Sequence, residues 1–162
     1  MPRLTPMNDS EFAAFLARAI PRRAATWVQR GIWTEERALE ASRAAYQRVL
    51  PQGRATPGHH FFHVLDDSTG EPVGEVWYSA EEQGGKLQFW VEWIQIEPEH
   101  RRRGLASQVL LDLETTARLA GAERIGLNVW TDNPNAAALY AKLGFQPANM
   151  SLVKSLPSRP SP

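Results

Sequence analysis

The chain has 162 residues, enough for one sizeable core, with 43 % hydrophobic and 22 % charged residues, an ordinary globular balance. Lys plus Arg equals Asp plus Glu at 18 each, which excludes a general pull toward nucleic acid or anionic membrane and leaves any anion to a local site. Cysteine is absent, which removes disulfides, zinc–thiolate sites and cysteine nucleophiles and fits a reducing cytoplasm.

The N-terminal run MPRLTPMNDSEF has no apolar export segment, and no stretch approaches about 18 uninterrupted apolar residues. A cytoplasmic protein without a membrane partner is expected. Asn8 followed by Glu11 predicts a capping box. Phe12, Phe15, Leu16, Ala19 and Ile20 then repeat at helical spacing. Pro21 is expected to kink or split that helix, and Gly31 to end it. Thr34 is expected to cap a second helix, with Glu35 and Glu36 in its first turn. Its inner face is expected to be Ala38, Ala41, Ala45 and Val49, and Pro51 to Gly53 stop it.

His59–Leu65 and Val73–Ala80 read as a hairpin around the turn-forming cluster Asp66 to Gly70. After Gly84-Gly85, Leu87–Ile96 reads as a third strand, antiparallel to its predecessor. Ala106, Val109, Leu110, Leu113 and Ala117 mark a helix that starts at Gly104 and stops at Gly121. Ile125–Trp130 reads as a strand. Asn133-Pro134 opens another helix, Asn as N-cap and Pro at its first position, running to Leu143. A last strand is expected over Ser151–Leu156 and a disordered tail over 157–162. The order is two helices, a three-strand meander, then helix, strand, helix, strand. A mixed α/β (α+β) fold in a single domain over residues 1–156 follows.

One segment carries chemistry. Ile96-Glu-Pro-Glu-His-Arg-Arg-Arg-Gly-Leu-Ala106 joins a strand to a helix start, where backbone N–H groups lack partners and the dipole is positive. Gly104 lets the backbone come close and Ala106 keeps the first turn open, which suits a pyrophosphate. A solvated basic loop, or a grip on nucleic acid phosphates by His100–Arg103, stays open on this segment alone. His59, His60 and His63 lack a supporting ligand set and read as strand residues, so no metal is expected. Trp77, Trp90 and Trp93 line an acceptor pocket only if they face a gap in the sheet.

Arg101-x-x-Gly104-x-Ala106 follows the strand ending at Ile96. Beyond the next helix come Asn133-x-x-Ala136-x-x-Leu139-Tyr140 and Gly144-Phe145. In order, spacing and element type these resemble the acyl-CoA motifs of the GNAT superfamily of N-acetyltransferases. Ala106 stands where a second glycine is commoner. The N-terminal half, with Gly31 and the helix before Leu50-Pro-Gln-Gly53, resembles a bacterial branch of that superfamily.

The resemblance implies a mixed central sheet with a splayed strand pair, Leu87–Ile96 and Ile125–Trp130, and flanking helices. It implies acetyl-CoA as co-substrate. Backbone groups of Ile94, Gln95 and Ile96 would hold the acyl-pantetheine arm, in the manner of an added strand. The turn Arg101, Arg102, Arg103, Gly104, Leu105, Ala106 would hold the pyrophosphate. Asn133, Ala136 and Tyr140 would complete the cofactor contacts. The implied reaction is direct attack of a primary amine, on a small molecule or a peptide, on the thioester. Glu92, inside an otherwise apolar strand, is the candidate base, and Tyr140 the proton donor to the departing thiolate. The competing readings are a solvated strand glutamate and a core tyrosine. A catalytically silent acyl-CoA-binding module is the rival within the fold. No nucleic-acid partner is expected, and a homodimer is the commonest oligomer by base rate.

Overall fold

The computed structural model describes residues 2–156; the tail expected over residues 157–162 lies outside that range. Two compact units divide the chain, Met1–Asn128 and Val129–Pro162.

The first unit is built on a five-stranded sheet in the order β1-β2-β3-β4-β5. Its strands are β1 (Pro2–Pro6), β2 (His59–Asp66), β3 (Pro72–Gln83), β4 (Lys86–Ile96) and β5 (Arg124–Leu127). The first four run antiparallel to their neighbours, and β5 joins β4 in parallel, as a strand–helix–strand crossover requires. β1 is not among the elements expected from the sequence; it has a proline at each end, and an edge strand is where proline is tolerated. β5 is shorter than the run Ile125–Trp130, and Val129 and Trp130 are exposed.

Helix α1 (Asp9–Gln29) opens on the expected capping box, Glu11 N–H donating to Asn8 Oδ1 at 2.9 Å and Asn8 N–H to Glu11 Oε2 at 2.7 Å. It continues as one helix through Pro21 and is not split there. Pro21 is exposed, so its ring meets solvent, and Ser42 Oγ donates to Ile20 O at 2.8 Å from α2 (Glu35–Val49), fixing the adjacent turn. Thr34 is the N-cap residue of α2 but makes no side-chain capping bond. The buried face of α2 is Ala38, Ser42 and Tyr46, while Val49 points out at 44 % exposure. The face is rotated from the one expected because Tyr46 offers more apolar surface than valine.

Phe12, Phe15, Tyr46, Phe61 and Trp77 form the core cluster between these helices and the sheet. The Phe15 ring meets Trp77 edge-on at 6.4 Å and Trp93 at 5.7 Å. Phe15 is 1 % exposed, a burial that contributes roughly 1.5–3 kcal/mol. β3 is buried without a break from Val73 to Ser79, which requires cover on both faces. The second cover is α3 (Leu105–Leu119), which packs on β1, β4 and β5 through Val109, Leu110, Leu113 and Ala117.

In the second unit α4 (Pro134–Lys142) is the one helix among the described residues. The expected strand Ser151–Leu156 is absent: this stretch has no ladder partner, and Leu152, Val153 and Leu156 are 80 % exposed or more. Strand propensity alone does not supply a partner edge. No helix of the described residues is long and apolar enough to cross a membrane.

Candidate active site

The β4–β5 ladder runs from Gln88↔Arg124 to Val91↔Leu127 and stops. One residue later β4 bulges. Trp77 pairs with Trp93 and Tyr78 with Val91, so Glu92 is the extra residue. A bulge bends its strand and raises the local twist. Beyond Val91 only β3 flanks β4 within the sheet. Glu97 N–H donates to Val73 O at 2.9 Å, which turns its backbone toward β3. By alternation Gln95 also faces β3, whereas Ile94 and Ile96 turn their backbone groups to the side where β5 has ended. Ile96 O accepts Arg101 Nε at 2.8 Å, which leaves Ile94 without a strand partner there. Of the three strand residues in the expected binding run, Gln95 therefore differs: its side-chain oxygen accepts from Arg22 on α1.

The turn after β4 is held by its own side chains. Arg103 Nη2 donates to Asp66 Oδ2 at 2.8 Å and Nη1 to His100 Nδ1 at 3.1 Å. Asp66 Oδ1 accepts from Ser68 N–H at 2.9 Å and Ser68 Oγ at 2.5 Å. The hydrogen bonds from the Ser68 hydroxyl and N–H, then that from Arg103, hold the Asp66 carboxyl down at about 2. Arg101 and Arg103 thus brace the turn, and Arg102 is the arginine of the three with an uncommitted side chain. Arg102 also adopts φ +60°, the one positive φ outside glycine among the described residues, a conformation that costs a non-glycine residue of order 1 kcal/mol.

Gly104 is the N-cap of α3 at φ +77° and supplies no side-chain cap. The first intrahelical bond is Gln108 N–H to Gly104 O at 3.1 Å, so the amides of Leu105, Ala106 and Ser107 have no helical partner. A cleft of about 480 Å³ opens at this corner, lined by Pro2, Asp66, Ser68, Arg103, Gly104 and Gln108 among others. Uncapped amides at a dipole-positive end, with a guanidinium beside them, match the chemistry of a diphosphate.

Glu92 is open to solvent and accepts Ser79 Oγ at 3.0 Å. Burial of the surroundings pushes its pKa up and the Glu81 charge adds to this, while the Ser79 hydrogen bond and the Arg23 charge oppose it. A carboxylate whose pKa is raised is the stronger base, and so accepts a proton from an amine more readily. Trp77 and Trp93 are held in or against the core beneath α1 rather than lining a gap, and Trp90 lies over Gly126 of β5. His59 accepts Trp77 Nε1 at 3.0 Å and His60 stacks on Tyr78 at 4.9 Å, which makes both part of the sheet's packing.

In the second unit Asn133 Oδ1 accepts Ala136 N–H at 3.2 Å, with Pro134 starting the helix. Asn133, Ala136 and Tyr140 follow one another along one side of α4. Tyr140 is half-buried, meets Phe145 edge-on at 5.8 Å, and has its pKa raised by burial, so it carries its proton at neutral pH. Asp66 and Ser68 are the residues that sequence reasoning missed. Asp-x-Ser reads as a local Asx turn, and nothing in it announces an arginine 37 positions away.

The model of the acetyltransferase (GNAT) family matches residues 23–145, a span that contains the bulge, the turn and α4. The chain belongs to the GNAT family. It is 33 % identical over 153 residues to the uncharacterized N-acetyltransferase YdgE of Bacillus subtilis, covering 94 % of this chain and 97 % of that protein. Another B. subtilis relative, the uncharacterized N-acetyltransferase YycN, is 31 % identical over the same shares. The crystal structure of YycN superposes with a TM-score of 0.88 at 29 % identity, covering 98 % of this chain and all of that one. The GNAT architecture expected from the motifs is therefore present, and the protein is an acyltransferase.

Proposed function

We propose that this GNAT protein moves an acetyl group from acetyl-CoA to a primary amine by direct attack on the thioester. The observation that carries the reading is the end of the β4–β5 ladder at Val91, one residue before Glu92, on the strand whose following turn leads into the uncapped start of α3. In this reading the Ile94 backbone receives the pantetheine arm as a strand would. The amides at the start of α3, with the uncommitted Arg102 side chain in the same turn, hold the pyrophosphate.

An amine of pKa near 10.4 is neutral only about once in 2,500 molecules at pH 7. Glu92 takes the surplus proton, directly or through water. Nitrogen then bonds to the carbonyl carbon, the carbon–sulfur bond breaks, and Tyr140 gives its proton to the thiolate. The products are the N-acetyl amine and free CoA. The nucleic-acid reading of His100–Arg103 is the weaker one, because Arg101 and Arg103 are spent on Ile96 and Asp66.

Free-thiol release from acetyl-CoA across a panel of amines tests the proposal. Turnover with some amine, and a thermal shift with acetyl-CoA alone, are expected. No thiol release with any amine and no thermal shift would overturn it.

A further inference from the structure

Three arginines on α1, Arg18, Arg22 and Arg23, face the same end of the sheet, and their partners differ. Arg18 is paired with Glu75. Arg22, one helical turn on, meets Gln95, the residue directly opposite Glu75 across the β3–β4 ladder. A carboxylate lies under the first guanidinium and a neutral amide under the second. Arg22 also lies over the Trp93 ring at 5.2 Å, next in sequence to Glu92.

Arg23 has no carboxylate partner among the described residues. Its guanidinium is framed by rings instead: Trp27 at 4.9 Å, Tyr46 at 5.8 Å and Trp33 at 5.9 Å, with Trp27 stacked on Trp33. Its Nε is buried and makes no hydrogen bond, and neither does the buried Nε1 of Trp93. Rings hold a guanidinium in place through its face, leaving its outer N–H groups to bind in the plane. An arginine fixed this way has lost little further freedom to lose on binding. Arg22, the neighbour of Arg23 on α1, lies over the ring that follows Glu92 in β4, and the Arg23 charge opposes the upward shift of the Glu92 carboxyl.

The region around Glu92 thus carries two acids, Glu92 and Glu81, and two guanidiniums, Arg22 and Arg23, that form no ion pair among the described residues. A monopolar amine would satisfy only the acids. We propose that the acceptor is a small amine bearing a carboxylate, an amino acid or short peptide, whose carboxylate is taken by Arg23 with Arg22 while its amine reaches Glu92. This inference rests on the reading of Glu92 as the base.

The test compares ω-amino acids of increasing chain length with their carboxamides, each rate expressed per neutral amine. At a length that spans the site the acid should be favoured in kcat/KM by roughly 10- to 100-fold, mostly through KM. Arg23→Gln should collapse that ratio toward unity, and Arg23→Lys, which keeps charge but loses the planar fork, should restore part of it. Should Arg23→Gln disturb the aromatic frame, Arg22→Gln at an exposed position should lower the same ratio. Equal use of acids and amides at every length, an unchanged ratio in both glutamine variants, or a preference for phosphate-bearing amines would each overturn the carboxylate assignment. Those outcomes leave acetyl transfer itself standing, whereas no turnover with any amine would remove both.

Discussion

Arg103 and Asp66 are 37 positions apart, yet their side chains meet at 2.8 Å and join the turn after β4 to the turn between β2 and β3. The bond aims no atom at a substrate; it fixes the loop that does. Asp66→Asn is expected to raise the KM for acetyl-CoA by about tenfold, since it exchanges an ion pair for a guanidinium bond to a neutral acceptor, with kcat little changed. The carboxyl titrates at about 2 in the folded chain against 3.8 for a free one. The unfolded chain then binds more protons between those values, so stability rises with pH there. The contribution is complete above about pH 5 and lost as pH falls toward 2. Melting temperature against pH should therefore have a shallower acid limb in Asp66→Asn than in the native chain.

Glu92→Gln should lower kcat/KM for the amine by about 10²-fold at pH 7. The deficit should narrow as the pH approaches the amine's own pKa, where no base is needed. Because Glu92 is raised, the acid limb of the native profile should lie above the usual carboxylate range. Ser79 donates to the charged form and holds that pKa down. Ser79→Ala should thus move the limb to still higher pH, a shift read directly from kcat/KM against pH.

Tyr140→Phe should reduce kcat by roughly tenfold at pH 7, a larger effect than its effect on acetyl-CoA binding. A thiol of pKa near 8.5 leaves unaided once the solution is more alkaline than that, so the defect should shrink above about pH 8.5. A defect that stayed constant with pH would remove Tyr140 from the proton transfer.

Two glycines separate crowding from backbone strain. A Cβ on Gly126 would fall within the Trp90 indole, and Gly126→Ala should cost about 1–3 kcal/mol of stability. A Cβ on Gly104 would meet nothing within 4 Å, but its φ is +77°. Gly104→Ala should cost about 1–2 kcal/mol through the left-handed conformation and should also weaken acetyl-CoA binding. Chemical denaturation separates the pair: both lose stability, and only Gly104→Ala loses affinity beyond that loss.

Much of the fold was legible because its signals are local. The capping box at Asn8 and Glu11, the glycines ending α1 and α3, and the Asn133-Pro134 start all act within a few residues. Pro21 misled because the local cost of a proline inside a helix, a lost N–H bond and a crowded carbonyl, is here outweighed by the tertiary packing of α1 on either side of it. Val49 misled because periodicity leaves open which of two adjacent stripes is buried. Ser151–Leu156 has strand propensity and no edge to pair with, and edges are a tertiary property. Within the candidate site, the strand-to-helix basic turn points to Gly104, while Glu92 and Tyr140 stand out through the resemblance to the GNAT motifs. The bulge at Glu92, the roles of Arg101 and Arg103 as braces, and the unneutralised guanidinium of Arg23 depend on distant partners.

The extra residue in β4 has one more implication. Position 92 belongs to neither register, since Val91 and Trp93 already account for Tyr78 and Trp77. The side chain there is free of the pairing register, and its tie to β3 is the Ser79 hydroxyl. The backbone framework therefore leaves the identity of residue 92 to that one hydrogen bond, and a substitution there is felt by a single buried hydroxyl rather than by the ladder.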